Sequence, residues 1–355
     1  SRFLRGAPVR AILPGVPLGY RVQWTKTAPV AVESLSLRDG RPRKMEVCPV
    51  NASEPPKMKL VLGTRGSPLA LAQARMVARM LEAASPGLAV TEKIIKTTGD
   101  RFLRETFATL EAQQGKGLFT KELEEELLAG TIDLAIHSLK DLPTELPAGL
   151  VLGGVPGRED PHDVLVTGDD CPLEKLPQGA VIGTSSPRRR AQLAWWRQDL
   201  LFVECRGNVD TRLKKLAAGE ARAIVLAEAG LARLGRAEIR REPIPFEIML
   251  PAVGQGLLGV ECRGNDQPLL ALLARLSSPE AWAEARAQRA LLAGLGGGCA
   301  VPLGCVTRVD NGILSLNAAL LSPDGKKRVA LEASRPLADA AKLGASLAEE
   351  IAKRF

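Results

Sequence analysis

Aromatic residues are scarce in this chain of 355 residues: seven Phe, four Trp and one Tyr, 3% of the total. Proteins that bind single-stranded nucleic acid stack its bases on aromatic platforms, and this composition offers few. Histidine is scarcer still, with two residues, and none of the six cysteines (48, 171, 205, 262, 299 and 305) belongs to a Cys-x-x-Cys pair. Zinc ligand sets and disulfide frameworks need more than that, so no metal site is expected. Most of the cysteines read as small buried hydrophobes in a reducing compartment. No apolar run approaches the roughly 18 residues that span a bilayer, so no membrane segment is expected.

Acidic residues are sparse in one region. Residues 1–57 hold ten Lys and Arg against four Asp and Glu, so +6 of the formal charge of +8 lies there. The excess base is therefore not a property of the rest of the chain, and a nucleic-acid reading from net charge fails. The same stretch is rich in Arg, Pro and small residues and lacks the apolar core, about 7–15 residues long, of a secretory signal. It reads as an organelle-targeting leader or as a disordered extension, outside the fold in either case.

What the chain does have is one motif twice. Val61-Leu62-Gly63-Thr64-Arg65-Gly66-Ser67-Pro68 is echoed by Val181-Ile182-Gly183-Thr184-Ser185-Ser186-Pro187, the latter followed by Arg188-Arg189-Arg190. Each is an apolar strand entering a Gly-Thr/Ser turn and then a helical pattern, which leaves backbone N–H groups free for an anion. In both halves a helix ends near a glycine, Gly130 or Gly219, and a short apolar strand follows at 133–136 or 223–226. Both halves thus read strand–helix–strand, as α/β lobes do, and the length favours two or three domains.

The expected organisation is an extension (1–57), a first α/β lobe (58–156 with 251–275), a second lobe (157–250) and a small C-terminal α+β domain (276–355). Gly157–Pro161 and Leu250–Gly256 are turn-rich crossings between the lobes, and a strand at 257–260 returning to the first lobe would allow hinge motion. In the last domain a helix from about Ser277 to Leu295 precedes strands at 305–309 and 313–321. A turn at 322–325 and a helix from Leu337 to Phe355 complete it.

Asp141 follows a buried strand, where α/β lobes place their ligands. It is either a carboxylate for acid–base or electrostatic work or one partner of a surface Lys–Asp pair before a proline turn. Arg188, Arg189, Arg206, Arg212 and Arg233 cluster in the second lobe. Arginine forks suit carboxylates, so together they suggest a small polycarboxylate, although each alone reads equally as a solvated helix face. Trp195-Trp196 reads as packing. Cys299, after three glycines, is either an accessible nucleophile or attachment point or a small residue in a tight loop.

Taken together, these segments resemble the porphobilinogen deaminases (hydroxymethylbilane synthases), from about Leu60 to the C-terminus. The resemblance rests on Gly63-Thr-Arg-Gly-Ser-Pro-Leu-Ala-Leu-Ala-Gln73, Gly115–Phe119, His137-Ser-Leu-Lys-Asp-Leu-Pro143 and Arg158–Pro161. It continues through Gly183–Arg189, Arg206–Val209, Leu250–Gly256 and Gly297–Pro302. It implies three domains, the first two like type II periplasmic binding proteins. It also implies a dipyrromethane cofactor on Cys299, and a transferase that joins four porphobilinogen molecules with loss of ammonia and releases 1-hydroxymethylbilane for haem and chlorophyll synthesis.

By the same resemblance, Asp141 is the catalytic carboxylate that stabilises a cationic azafulvene, with Lys140 and Ser138 flanking the cofactor. Arg65, Ser67, Thr184, Ser185, Ser186, Arg188, Arg189, Arg206, Gly207 and Arg212 would hold cofactor carboxylates. Arg65, Arg206, Arg212 and Arg233 would serve the substrate. A monomer that passes its product to uroporphyrinogen-III synthase is implied. For such an enzyme the basic leader suggests a plastid, with mitochondrial and cytosolic placements open. Three positions depart from the family's usual residues: Gln288 and Gly296 stand for Glu, and Pro187 for Leu. The first two are expected to weaken an ion pair at the interface of the last domain. The competing classes are a non-enzymatic bilobal binding protein for a small carboxylate, which would need neither Cys299 nor a third domain, and a nucleic-acid binder using the basic arm.

Overall fold

The computed structural model describes residues 58–97, 120–297 and 301–355, and the backbone of two strands nearer the N-terminus. Those two, β1 (Tyr20–Trp24) and β2 (Pro29–Ser34), pair antiparallel with Tyr20 opposite Ser34. They belong to a compact unit of their own, residues 1–55. The stretch read as lying outside the fold therefore contains a strand pair.

In the main unit, β3 (Lys59–Arg65) buries Leu60 and Leu62 and stands second from the edge of a five-stranded sheet. It runs into α1 (Pro68–Ala84), whose first turn has Ser67 as N-cap and Pro68 just inside. That arrangement satisfies one free N–H and places proline where its missing donor costs nothing. Then follow β4 (Ala89–Ile95), α2 (Lys121–Leu128), β5 (Leu134–Ser138) and β6 (Leu150–Gly154). The second lobe repeats the series. β8 (Val181–Gly183), α3 (Pro187–Trp196) and β9 (Leu201–Val203) lead to α4 (Val209–Ala217), β10 (Ala223–Ala227) and α5 (Glu228–Arg233).

Each half thus has an edge strand and a further helix where a single helix was expected. The edge strands gave no periodic signal: β9 is three residues long, and β4 buries only Ile95.

The two sheets correspond strand for strand. The first has the order β4-β3-β5-β12-β6, the second β9-β8-β10-β7-β11, with β7 (Asp163–Thr167), β11 (Glu242–Pro243) and β12 (Leu258–Arg263) completing them. β3, β4 and β5 are mutually parallel, as are β8, β9 and β10. β12 and β7 each enter antiparallel, immediately after a crossing between the lobes. The expected strand returning to the first lobe is β12, and α6 (Gln267–Leu276) packs with it against α1. Leu258, Val260, Leu269 and Leu273 are buried there beside Val77 and Leu81.

The last unit is a meander of β13 (Leu303–Asp310), β14 (Ile313–Leu321) and β15 (Arg328–Pro336), backed by α7 (Pro279–Gly294) and α8 (Ala340–Arg354). β15 was not expected. It is an edge strand none of whose residues is fully buried; Val329, Leu331 and Ala333 are only half-buried. The unit touches both lobes. Ala281 and Ala285 of α7 pack on Leu139, Leu142 and Leu257. Ala319 and Leu321 of β14 pack on Ala191 and Leu250.

Candidate active site

Strand β5 ends at Ser138 and passes into a single 3-10 turn, Leu139–Asp141, which anchors itself by burying Leu139. The turn leaves Asp141 exposed at the strand's C-terminal end. A pocket opens there, lined by Arg65, Ser67, Leu69, Ala70 and Gln73 from the β3–α1 turn and helix, and by Thr120, His137, Ser138 and Asp141. Ser67 Oγ accepts from Ala70 N at 3.3 Å, which keeps it at the mouth of the helix. Gln73 Nε2 donates to Ser138 Oγ at 2.9 Å and so ties the helix to the strand. Beneath the pocket His137 Nε2 meets Glu261 Oε2 at 2.9 Å, both side chains being buried.

The second motif copies the first. Ser186 Oγ caps α3 by accepting from Arg189 N at 3.4 Å. Thr184 Oγ1 accepts from Ser186 N at 3.2 Å, and Ser185 Oγ from Cys205 N at 3.1 Å. Arg188 and Arg189 turn inward to one buried carboxylate. Arg188 donates to Asp163 Oδ2 at 2.7 Å and to Leu250 O at 2.6 Å. Arg189 reaches Asp163 Oδ1 through Nε (3.1 Å) and Nη2 (2.7 Å), and Val225 O through Nη1 (2.8 Å). Gln255 Nε2 adds a bond to Asp163 at 2.9 Å. Burial works against ionising Asp163, but the two guanidiniums override it and hold the carboxyl well below its usual range.

One carboxylate faces two guanidiniums, and more cations stand close by. Burial pushes the half-buried Lys140 ammonium down to about 8; Asp141 opposes that shift, and Arg189 and Arg188 add to it. Burial likewise brings Arg212 down to about 10, with Arg189 and Arg206 contributing and Asp141 opposing. Lys140 and Asp141 on the first lobe thus share an electrostatic neighbourhood with Arg188, Arg189 and Arg212 on the second. Like charges crowded under partial burial are the environment a multiply anionic ligand relieves.

The other expected residues have more varied settings. Arg212 Nε donates to Gly207 O at 2.9 Å and Arg206 Nε to Glu204 Oε2 at 3.1 Å. Arg233 lies outside the pocket, at the second crossing, where Nη2 donates to Gly256 O at 2.6 Å. Its Nε is buried with no hydrogen-bond partner. Trp196 is half-buried in the second-lobe core, whereas Trp195 is exposed. Cys299 and the 115–119 segment lie outside the described residues. Of the described cysteines, 205, 262 and 305 are buried, and burial pushes the Cys262 and Cys305 thiols up to about 12.

Gln73, His137, Thr120, Asp163 and Gln255 are site residues that sequence reasoning did not single out. The available signal was polarity inside apolar patterns: Gln73 lies among the Ala and Leu of α1, and Asp163 opens the buried strand β7. Gln288 is also more than a lost charge. Its Oε1 accepts from Gly254 N at 2.7 Å and its Nε2 donates to Thr307 Oγ1 at 2.8 Å. An ion pair is present one turn earlier on α7, between Glu284 and Arg158.

Fold and cleft together define a bilobal α/β protein with a cationic cleft and an appended α+β domain. Residues 60–271 match the family model described as porphobilinogen deaminase, dipyromethane cofactor binding domain, and residues 282–353 match porphobilinogen deaminase, C-terminal domain. The chain is 46% identical over 292 residues to a porphobilinogen deaminase of Syntrophomonas wolfei, covering 82% of this chain and 94% of that protein. For those of Pelotomaculum thermopropionicum and Desulforudis audaxviator the identities are 48% over 295 residues and 49% over 292. The shares covered are 83% and 82% of this chain, and 94% of each relative. The chain belongs to the porphobilinogen deaminase family.

Proposed function

We propose that the chain is a transferase that joins four porphobilinogen molecules head to tail on a dipyrromethane cofactor and releases 1-hydroxymethylbilane by hydrolysis. The observation that carries this reading is the pairing of an exposed carboxylate, Asp141, with a cleft whose cations outnumber their partners: Arg188 and Arg189 share the buried Asp163, and Lys140 and Arg212 stand near them. A pyrrole chain with two carboxylates per ring suits such a cleft. The donor set fits the cofactor for the same reason, as do the paired helix N-termini of α1 and α3.

The cofactor, held through Cys299, supplies the pyrrole α-carbon to which the first new ring is joined. Asp141 accepts the pyrrole N–H groups and opposes the positive charge that develops as ammonia leaves. Ser138, fixed by Gln73, and Lys140 orient the rings beside it. Arg65, Ser67, Thr184, Ser185, Ser186, Arg206, Gly207 and Arg212 receive carboxylates. Arg188 and Arg189 contribute the net positive charge they retain over Asp163, and Arg233 serves the substrate from the second crossing, where it holds Gly256 O. The test is Asp141→Ala. It is expected to keep the covalent pyrrole mass while turnover of porphobilinogen falls by at least about a hundredfold; unchanged turnover would remove Asp141 from the chemistry.

Finer readings accompany this one. The lobes comprise 58–156 with 251–275 and 157–250, and the cofactor-bearing domain 276–355. The enzyme works as a monomer and passes its labile product to uroporphyrinogen-III synthase. For residues 1–57 a plastid leader is supported by composition alone, and the bacterial relatives weigh against it. Fusing 1–57 to a fluorescent protein tests that address.

A further inference from the structure

Two apolar strands of the first sheet each carry one buried ionisable residue. β5 reads Leu134-Ala-Ile-His-Ser138 and β12 reads Leu258-Gly-Val-Glu-Cys-Arg263. In their antiparallel register Ala135 stands opposite Glu261 and Gly259 opposite His137, so the imidazole and the carboxylate lie on one side of the sheet. His137 is 5% exposed and Glu261 0%. Polar groups at that depth need hydrogen bonds. His137 Nε2 meets Glu261 Oε2 at 2.9 Å, while Glu261 Oε1 is buried without a partner. A carboxylate only accepts, so Nε2 carries the proton and Nδ1 of the neutral ring is an acceptor. Among the described residues nothing donates to it, and the ring lines the pocket together with Asp141 and Arg65. The surroundings are acidic. Burial raises the Glu124 carboxyl on α2 above its usual range; the Thr120 hydroxyl opposes this and Glu261 adds to it. Arg289 on α7 also feels Glu261, but its guanidinium donates to Leu142 O (3.2 Å), Pro143 O (2.7 Å) and Thr144 O (3.0 Å).

We propose that His137, backed by Glu261, is the subsite for the ammonium end of the substrate, a primary alkylammonium. The proposal rests on the functional reading above, in which the substrate carries two carboxylates and an aminomethyl group. The cations of the cleft attract the carboxylates and repel the ammonium. A zwitterion is oriented there only if the repelled end has an acceptor of its own. His137 Nδ1 is that acceptor, and Glu261 supplies negative charge behind it. Asp141 is then left for the pyrrole N–H groups.

The chain has two histidines, His137 and His162. Nitrogen NMR of the full-length protein as purified, with labelled histidine, therefore shows two imidazoles, and His162→Gln assigns them. Methylammonium chloride is the probe. Tetramethylammonium chloride, which has the charge but no N–H, is the control. His137 is expected to carry its proton on Nε2 and to shift with methylammonium and not with tetramethylammonium, while His162 stays still. A doubly protonated His137, no shift with methylammonium, or equal shifts with both salts overturns the proposal. Glu261→Gln keeps an acceptor for Nε2 and removes the charge. In this variant KM for porphobilinogen is expected to rise about tenfold, while the inhibition constant of the analogue with methyl in place of aminomethyl stays within about twofold. An equal loss for both ligands points to a structural role and overturns the proposal. If Glu261→Gln fails to fold, the titration of the wild-type protein decides alone. A wild-type chain that takes up no pyrrole overturns the functional reading itself, whereas normal pyrrole uptake with an unmoved His137 overturns only the ammonium subsite.

Discussion

At the scale of single residues, charge placement governs the cleft. Asp163 is fully buried and compensates Arg188 and Arg189. Replacing it by Asn leaves two buried guanidiniums without a counter-charge, so Asp163→Asn is expected to lower stability by about 3–5 kcal/mol, measured by denaturant unfolding. Because the folded carboxyl titrates below its unfolded value, its contribution is present above about pH 4 and is lost progressively as pH falls below that. Lys140 has the same pH slope but carries a burial penalty in place of a stabilisation. Its folded value of about 8 lies below that of an exposed lysine, so stability rises as pH climbs from about 8 toward about 10.4 and the burial penalty disappears. Over the same range the cleft loses a cation. KM for porphobilinogen is therefore expected to rise above about pH 8, and Lys140→Met should flatten that limb. A KM–pH profile unchanged in Lys140→Met would show that Lys140 does not bind the anion.

At the scale of elements, the close approach of the second crossing to the catalytic turn is the point most sensitive to side-chain volume. Gly254→Ala must accept both a positive φ and a Cβ against the Lys140 backbone. Strain of this kind costs about 1–3 kcal/mol, and the Asp141 turn should shift with it. Thermal unfolding together with turnover checks this: a stable, fully active Gly254→Ala would contradict the packing described. By contrast, Ser278→Ala removes only the cap of α7, where Ser278 Oγ accepts from Ala281 N at 3.0 Å. A loss of about 1 kcal/mol is expected.

The elements also show what the sequence made legible. The duplicated Gly-Thr/Ser turns and the return of β12 to the first sheet were readable, because each has a local pattern. The edge strands β4, β9 and β15 were not, since strands half open to solvent carry little hydrophobic periodicity. Nor were Asp163, Gln73 and Gln288 as structural partners. Their roles depend on groups 19 to 92 positions away in the chain, such as Thr307 for Gln288 and Gln255 for Asp163, and no spacing rule reaches that far. Gln288 shows the limit most plainly: read as a missing charge, it is a neutral bridge between Gly254 and Thr307.

At the scale of the whole molecule, two similar sheets joined by two crossings form a scaffold for hinge motion, and the third domain touches both. The strand pair β1–β2 belongs to a separate unit, and the family match begins at residue 60. A protein of residues 58–355 is therefore expected to retain kcat and KM within about twofold, a difference of under about 0.5 kcal/mol; a larger loss would assign residues 1–57 a part in catalysis. The central claim, a covalent cofactor on which porphobilinogen is polymerised, is tested most directly by intact mass. The purified protein is weighed before and after incubation with porphobilinogen, and any adduct is mapped. The account predicts the added mass of two linked pyrroles on Cys299, with further single-pyrrole steps after incubation. An unmodified Cys299 in protein already exposed to porphobilinogen and its tetrapyrrole product would contradict it.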